Sequence, residues 1–389
     1  MNRRFKIAMV GACPFPYPRG TPIRVFRMAE ALSQQGHEVH VVTYHLGSEA
    51  EKYNFRIHRI PEIKTYWKYS PGPTYQKLLV LDSLLAIKLF RFLKTHKVDL
   101  IHAHHYEGLL VSLCVRKWTK HPVVYDAHTL LESELPFYNL LPQSIKKRVG
   151  QYLDRRLPKR ADHIITVTDR IRTKLIQDAG ISPENITVIT NGVESQHFDV
   201  RLENKVFQEG KKTLIFTGNL AAYQGIDLLL RAFKGVLSKR QDVKLLIISD
   251  SPFDHYEPLA NTLEIRRYID VVRSEFHSLP EYLTGADVAL NPRTDCDGIP
   301  QKLLNYMAAG KPIVSFEGSA VNLKNGKTGL VVENGNIPAF TRAILELLDN
   351  SELAKELGRN AREYVSSEHT WERMAEKAGA VYERILKRN

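Results

Sequence analysis

Short apolar runs alternate with amphipathic segments through the first half of the chain. The runs are five to seven residues long and rich in Val, Ile and Ala, which predicts buried strands at 5–11, 38–43, 98–103, 122–126 and 163–167. Residues 23–35 carry apolar side chains at helical spacing, and Gly36 follows where a helix C-cap glycine is expected. Residues 78–94 are strongly apolar and predict a core helix. This alternation is typical of a parallel sheet with helices on both faces.

The second half repeats the alternation. Strands are predicted at 213–218, 243–248, 287–290 and 312–315, with helices between them. The polar stretch 192–212 interrupts the rhythm and predicts an interdomain linker. Two doubly wound α/β domains imply a cleft, and ligands of such sheets bind beyond the carboxyl ends of the strands. We therefore expect four segments to surround one site: 14–22, 126–128, 218–225 and 293–300.

Composition narrows the class of protein. The chain has 389 residues, of which 43% are hydrophobic and 25% charged, as in globular proteins of two or three domains. No apolar run is long enough to span a bilayer, and the first strand is too short for a secretory signal. The cysteines are Cys13, Cys114 and Cys296, without a CxxC pair, which excludes a disulfide framework and a thiolate zinc site. We predict a cytoplasmic protein.

Charge is unevenly distributed. The net charge is +12, and residues 1–190 alone carry 29 Lys and Arg against 16 Asp and Glu. A basic half joined to a neutral half indicates an anionic partner, such as nucleic acid, a membrane surface or a phosphorylated substrate. No RNA-binding signature, zinc finger or basic zipper is present, so we predict no nucleic-acid partner.

The segment 144–160 has seven basic residues and one acid. Its apolar residues fall near helical spacing and predict a basic amphipathic helix; they are Ile145, Val149, Tyr152, Leu153 and Leu157. One interpretation is a surface helix that packs on its own domain. The other is contact with an anionic membrane surface at the inner face of the membrane.

Two segments of the second half have the pattern of an anion site. Residues 218–225 form a turn between a strand and a helix, with Gly218 and Gly225 at its ends, and a helix N-terminus there could bind phosphate. Further on, the backbone amides of Gly298 and Ile299 and the side chain of Lys302, one turn into the next helix, form a candidate anion cradle. The alternative for both is an ordinary α/β connection.

Histidines mark the first half. His128 ends a predicted strand, where it could donate a hydrogen bond to a ligand, accept a proton or be purely structural. The run 102–105, His-Ala-His-His, resembles a metal motif, but we expect its alternate positions on opposite faces of the sheet and no carboxylate cluster nearby. The triplet 295–297, Asp-Cys-Asp, is similar to an acidic triplet that holds a divalent ion in some sugar-transferring enzymes. The two-domain pattern around it here does not match the pattern of those enzymes. We therefore predict no metal and no cofactor.

Several motifs together resemble the retaining glycosyltransferases of family 4, which have the GT-B fold. The similar segments are 36–39, 99–103, 125–128, 189–193, 223–230, 286–292, 307–314 and 326–332. The resemblance implies an N-terminal Rossmann-like acceptor domain at 1–190 and a donor domain at 191–365. It also implies a C-terminal helix, 366–389, that crosses back to the first domain. The substrates implied are a nucleotide-sugar donor and a glycan or lipid-linked acceptor.

This sequence departs from the family at the residues that bind the donor. Asn219 stands where the family has Arg, and Gln224 stands where it has Lys. The two Glu of the family signature are Asp297, implied to contact the sugar hydroxyls, and Asn305, implied to contact the ribose. His128 matches the family histidine near the reacting centre.

A departing diphosphate develops negative charge, which hydrogen-bond donors and cations must stabilise. We therefore expect other residues to replace the family Arg and Lys that are absent at positions 219 and 224. The hypothesis is that Arg293 and Lys302 replace them, helped by amides around Gly298 and by the loop 19–21, Arg19-Gly20-Thr21.

The function implied is metal-independent transfer of a sugar to an acceptor hydroxyl with retention at the anomeric carbon. A front-face route is expected, because no enzyme nucleophile is evident. The resemblance places this reaction in the synthesis of cell-surface polysaccharide, glycolipid or lipid-linked glycan. Two alternatives remain: a degenerate binding or scaffold protein, and a nucleotide-sugar epimerase-like enzyme.

Overall fold

The computed structural model describes residues 3–17, 20–47, 52–69, 74–137, 142–198, 207, 210–273 and 278–388. Arg19, one of the predicted donor contacts, lies outside these residues, as does most of the second half of the predicted linker. The chain divides into two compact units: unit 1 comprises Met1–Asn191 and Trp371–Asn389, and unit 2 comprises Gly192–Thr370. The family resemblance implied domain boundaries after residues 190 and 365.

Unit 1 is built on a parallel sheet, as the alternating pattern predicted. In the described residues its strand order is β3-β2-β1-β4-β5-β6-β7. The strands are β1 (Lys6–Gly11), β2 (Glu38–Thr43), β3 (Arg56–Arg59), β4 (Leu100–His104), β5 (Val123–Ala127), β6 (His163–Thr166) and β7 (Ile186–Val188). The order reverses between β1 and β4, which pair directly. At such a switch point the loops diverge and leave space for a ligand.

Helices cover both faces of this sheet. They are α1 (Gly20–Gln34), α2 (Asp82–Thr95), α3 (His105–Thr119), α4 (Leu131–Glu134), α5 (Gln143–Arg156), α6 (Asp169–Ala179) and the C-terminal α13 (Trp371–Arg388). One face buries α2 and α3, and the other buries α1 together with α13. Met374 and Val381 of α13 belong to the same apolar cluster as Met28 of α1. Each such side chain contributes roughly 1.5–3 kcal/mol by leaving water.

Unit 2 repeats the architecture with the strand order β10-β9-β8-β11-β12-β13 in its described residues. The strands are β8 (Lys212–Thr217), β9 (Val243–Ile248), β10 (Ile269–Val272), β11 (Val288–Asn291), β12 (Ile313–Phe316) and β13 (Leu330–Val332). The helices are α7 (Ile226–Leu237), α8 (Glu257–Thr262), α9 (Leu279–Gly285), α10 (Gln301–Ala308), α11 (Ile337–Asp349) and α12 (Ser351–Glu368). Its switch point lies between the paired strands β8 and β11. The predicted fold class, two doubly wound α/β domains, is confirmed.

Two helix predictions need correction. The segment 78–94 is not wholly a core helix: a π-helical turn, Lys77–Leu81, precedes α2, and Leu79 and Ile87 are exposed. The basic segment 144–160 is not one helix, because α5 ends at Arg156 and a separate 3-10 turn follows at Pro158–Arg160. Proline cannot donate the backbone bond that would continue the helix.

The apolar stripe of α5 is divided between its own unit and solvent. Val149 and Leu153 pack against a small apolar cluster that contains Leu131 of α4, whereas Ile145 and Tyr152 are exposed. This arrangement agrees in part with a surface helix that packs on its own domain. Among the described residues, no helix is long and apolar enough to cross a membrane.

Candidate functional site

In unit 2, the loop that follows β8 and the loop that follows β11 touch at Gly225. Gly225 has φ +72, and a Cβ there would lie 2.3 Å from the carbonyl oxygen of Pro292. Only glycine permits both this backbone conformation and this close approach. The sequence pattern predicted a glycine turn here, and the structure shows that the turn brings 218–225 against the start of 293–300.

Lys302 reaches this loop from the first turn of α10. Its Nζ donates a hydrogen bond of 2.6 Å to Oε1 of Gln224 and lies 4.0 Å from the centre of the Phe216 ring. Burial, reinforced by the charge of Arg293, lowers the pKa of Lys302 well below its usual value. An ammonium has three N–H donors, and Gln224 needs only one of them. The side chain is therefore positioned to donate to an anion at the Gly218–Gly225 loop.

Arg293 lies on the other side of the same loop. Its guanidinium stacks over the Tyr223 ring at 4.8 Å, and its Nε donates to the backbone oxygen of Asp295 at 2.5 Å. The hydroxyl of Tyr223 in turn accepts a hydrogen bond of 2.9 Å from Nδ2 of Asn219. Arg293 thus lies near Asn219, and Lys302 contacts Gln224.

The acidic and amide candidates lie around the start of α10. Asp297 and Asn305 are buried, and the side chain of Ile299 packs into the apolar cluster under α10. Burial raises the pKa of Cys296, while a hydrogen bond from the backbone N–H of Gly298 to its sulfur lowers it. One of the two amides predicted to cradle an anion is therefore engaged within the chain.

In unit 1, His128 follows β5 and is held by two contacts. Oγ1 of Thr21, in the first turn of α1, is 3.1 Å from its Nδ1, and Nδ1 of His104 is 3.3 Å from its Nε2. Burial lowers the pKa of His128 to about 4, so the imidazole is neutral near neutral pH. Of the predicted loop 19–21, Gly20 begins α1 and is exposed, and Thr21 contacts His128. A neutral histidine can accept a proton or a hydrogen bond.

The sequence pattern did not identify the most extensive polar network of unit 1. Arg24 of α1 is buried and binds both carboxylate oxygens of Asp126, at 2.8 and 3.1 Å. It also donates to the backbone oxygens of Ile189 and Thr190 and to the side chain of Asn191. Although burial opposes ionisation, the Arg24 charge holds the pKa of Asp126 well below its usual value. The available signal was an arginine within the apolar stripe of α1.

The expectation for the 102–105 run is wrong in one respect. His102 and His104 lie on the same face of β4, with ring centres 4.3 Å apart, because residues two apart on a strand share a face. Nε2 of His102 and Nδ1 of His104 are 3.4 and 3.3 Å from Oδ2 of Asp126. Nδ1 of His102 also contacts the hydroxyl of Tyr382 in α13 at 2.7 Å.

These three residues could hold a metal ion by distance alone. However, the Arg24 guanidinium already neutralises Asp126, so a divalent ion would add two uncompensated charges at a fully buried position. The donor set therefore fits a hydrogen-bonded network better than a metal centre.

A second buried charge cluster lies near the ends of β2 and β4. Lys77 pairs with Glu107 at 2.6 Å, and His105, whose φ is +62, pairs with Glu134 at 3.0 Å. Burial raises the pKa of Asp82, which accepts a short hydrogen bond from Tyr44, to about 7. Of these residues, only His105 was singled out from the sequence, as part of the 102–105 run, and the sequence pattern did not predict the ion pairs.

Comparison with known proteins gives a consistent result. Residues 18–197 match the family model described as Glycosyltransferase Family 4, and residues 211–350 match the model described as Glycosyl transferases group 1. An uncharacterized glycosyltransferase of Methanocaldococcus jannaschii is 26% identical over 380 residues, which cover 95% of this chain and 96% of that protein.

Two solved structures have the same fold. Sucrose-phosphate synthase from Thermosynechococcus elongatus has a TM-score of 0.83 at 17% identity, with 99% of this chain and 100% of that chain covered. HepE from Anabaena, solved in complex with UDP and glucose, has a TM-score of 0.78 at 17% identity, with 98% and 100% covered.

Proposed function

Because the chain belongs to glycosyltransferase family 4 and has the GT-B fold, we propose that it transfers a sugar from a nucleoside-diphosphate donor to an acceptor hydroxyl with retention at the anomeric carbon. Unit 2 binds the donor in this proposal, and unit 1 binds the acceptor. The HepE complex with UDP and glucose supports a nucleotide ligand for this fold.

The observation that carries the proposal is the position of two cations beside the Gly218–Gly225 loop. The family binds the donor diphosphate with an Arg and a Lys from this loop, and here Asn219 and Gln224 stand in their places. Lys302 contacts Gln224 directly, and Arg293 stacks on Tyr223, which Asn219 contacts. Both positive charges have therefore moved to neighbouring elements and remain close to the same loop. Departure of a nucleoside diphosphate would develop its charge there.

The remaining residues of unit 2 receive roles by position. Asp297 accepts from hydroxyls of the donor sugar, and Asn305 hydrogen-bonds the ribose, as a neutral amide can. Gly218 and Gly225 let the backbone approach the phosphates. Two side-chain cations near the leaving group make a metal-independent reaction the simplest proposal.

In unit 1, we assign His128 to the donor sugar near the reacting centre. Both ring nitrogens already contact side chains of unit 1, Nδ1 that of Thr21 and Nε2 that of His104, so a hydrogen bond to the sugar would replace one of these contacts. No carboxylate is assigned as a nucleophile, so the leaving phosphate would help to deprotonate the acceptor. The basic charge of residues 1–190 favours an anionic or lipid-linked glycan acceptor, as in the synthesis of cell-surface polysaccharide or glycolipid.

A thermal-shift screen with nucleoside diphosphates, followed by hydrolysis assays with the matching nucleotide sugars, tests this function. The expected result is stabilisation by at least one diphosphate and slow release of sugar from its donor. Stabilisation without turnover with any donor would favour the degenerate binding protein, which the four substitutions at positions 219, 224, 297 and 305 make the second candidate. No stabilisation by any nucleotide would contradict donor binding itself.

A further inference from the structure

Large apolar side chains are exposed in one region of unit 1. Seven of them lie on the segment 67–87 and at the end of α3: Trp67, Tyr69, Tyr75, Leu79, Val80, Ile87 and Trp118. Trp67 is 72% exposed, Leu79 71% and Trp118 66%. We call these seven residues the apolar face. Among the described residues, only three other large apolar side chains are comparably exposed.

Side-chain contacts between the segments that carry these residues hold the segments together. Nε2 of Gln76 donates to Oγ1 of Thr65 at 3.2 Å, which holds the loop of Trp67 beside the π-helical turn of Leu79. At the other end of α2, Phe90 meets Trp118 edge-on with ring centres 6.4 Å apart. The apolar face therefore extends along α2 from the 65–69 loop to the end of α3.

The core does not explain these side chains. Leu85, Leu89 and Phe92 of α2 already pack into the sheet cluster, on the opposite side from Ile87. When the second apolar side of a helix stays in water, the folded chain lacks the stabilisation that burial of that side would give. Exposed apolar surface of this kind marks an interaction site.

The charge around the apolar face identifies its partner. Residues 63–97 contain seven basic residues and one acid. The acid, Asp82, accepts a hydrogen bond from Tyr44 and is half-buried. Five of the basic residues are exposed: Lys64, Lys68, Arg91, Lys94 and Lys97. A second copy of this chain would bring the same positive charge to the contact, which disfavours self-association.

We propose that the apolar face docks unit 1 on the surface of an anionic lipid bilayer. Tryptophan and tyrosine favour the membrane–water interface, while apolar side chains enter the acyl boundary. Each Lys or Arg near anionic lipid adds about 1 kcal/mol. The surface lies on α2 and its neighbours and not on α5, where Ile145 and Tyr152 are the only large apolar side chains exposed among the described residues. Binding needs neither donor nor acceptor, so the proposal goes beyond the proposed reaction.

Tryptophan fluorescence of the native chain tests this directly. Of the three tryptophans, Trp67 and Trp118 belong to the apolar face and Trp371 is buried. The probes are vesicles of phosphatidylcholine alone and of phosphatidylcholine with an equal part of phosphatidylglycerol, at low salt and without nucleotide. We expect a blue shift, and quenching by brominated lipid, with the anionic vesicles only. Equal binding to both vesicles, or binding without quenching, would overturn the proposal.

Paired variants locate the surface. Leu79→Glu with Ile87→Glu should weaken sedimentation with anionic vesicles at least tenfold, because each loses apolar burial and adds a repelled charge. The matched control is Ile145→Glu with Tyr152→Glu on α5, which should bind as the native chain does. If the α5 pair loses binding and the α2 pair does not, the docking surface is α5. If the native chain does not bind vesicles but sediments as a dimer, and Leu79→Glu converts that dimer to a monomer, the apolar face is a protein interface.

The quenching measurement stays decisive if the α2 pair fails to fold, since it uses the native chain. Its outcome is also independent of the proposed reaction. Vesicle binding without any response to nucleotides would support the docking surface and contradict the proposed transferase function.

Discussion

Nζ of Lys302 donates to Oε1 of Gln224 at 2.6 Å, although 78 positions separate the two residues in the sequence. Gln224 stands where the resemblance expects a lysine, so the contact brings a lysine amine from α10 to that position. Arg293 stacks on Tyr223 in the same loop. In the proposed function, Lys302 and Arg293 would together let this loop bind a diphosphate although the loop has no cations of its own at positions 219 and 224.

Replacing Lys302 should separate binding from stability. Lys302→Met is expected to lower turnover by about 10²–10³, as loss of one charge-stabilising donor typically does. Because burial lowers the pKa of Lys302 well below 10.5, the unfolded state binds this proton more tightly, and keeping the amine buried costs stability at neutral pH that is regained only as pH rises toward 10.5. The thermal midpoint of the variant should therefore not fall.

Lys311→Met is the matched control for this experiment. Lys311 is also in unit 2, its pKa is lowered to about 8 by burial, and it donates to the backbone oxygens of Thr284 and Ala286. Its loss leaves those acceptors without their donor and should cost about 1–3 kcal/mol of stability. Nucleotide affinity, measured by calorimetry, should not change. The opposite pattern in the two variants would remove Lys302 from the donor site.

Arg293 should matter through its charge and not through its stacking. Arg293→Gln is expected to lower turnover by about 10²–10³, while Tyr223→Leu, which removes the ring on which Arg293 stacks, should change it much less. Arg231→Gln, at an exposed arginine of α7 in the same unit, is the control. Steady-state kinetics with the donor found in the screen provide the measurement. Near-normal turnover of Arg293→Gln would mean that the leaving group is neutralised elsewhere.

Gly225→Ala should damage the donor loop. The new Cβ would lie 2.3 Å from the carbonyl oxygen of Pro292, and φ of +72 strains any residue with a side chain. The loops after β8 and β11 must then separate, and nucleotide affinity should fall at least tenfold. Gly210→Ala, also at positive φ but with open space around it, controls for backbone strain alone. Equal affinity of the two variants would show that the close approach has no role in binding.

The Arg24–Asp126 pair should be essential to unit 1. Asp126→Asn leaves a buried guanidinium without its counter-charge, and breaking such a pair costs about 3–5 kcal/mol. Glu38→Gln, which removes an exposed ion pair with Lys6 and keeps a side-chain oxygen that His40 can contact, should cost about 0–1 kcal/mol. All three tryptophans lie in unit 1, so urea unfolding followed by tryptophan emission reports this unit. Equal losses in the two variants would contradict a structural role for the pair.

Acid should destabilise unit 1 through His128. The pKa of His128 is about 4 in the folded chain, because of burial, and about 6.5 in the unfolded chain. Between these two pH values the unfolded state is protonated at His128 and the folded state is not. Stability is therefore lost as pH falls from about 6.5 to about 4, by up to about 1.4 kcal/mol per pH unit. Asp82, with a raised pKa of about 7, acts in the opposite direction. The effect of His128 is therefore measured as the difference in the free energy of unfolding between the native chain and a His128 variant at each pH.

His128→Gln should become more stable relative to the native chain as pH falls through this window. His255→Gln, at an exposed histidine of unit 2, should show no such trend in urea unfolding curves. Parallel pH curves for native chain and His128→Gln would mean that His128 is not held neutral.

The local pattern was sufficient for the fold class and for part of the site. Apolar runs of strand length alternating with amphipathic helices specify parallel sheets, and Gly225 marks a turn that only glycine permits. The four altered positions, 219 and 224 in the Gly218–Gly225 loop and 297 and 305 around α10, can also be identified directly, because they depend on residue identity alone. The resemblance to family 4 rests on these local motifs.

Tertiary structure decided which distant residues meet. Arg24 and Asp126 are 102 positions apart, and nothing in either local pattern indicates that they pair. The shared face of His102 and His104 mattered only once β5 placed Asp126 beside them. Likewise, α2 is apolar on more than one side, so its sequence alone does not indicate which side packs against the sheet. Side-chain identity is local, but burial and charge pairing depend on packing between elements, and so only the folded chain fixes them.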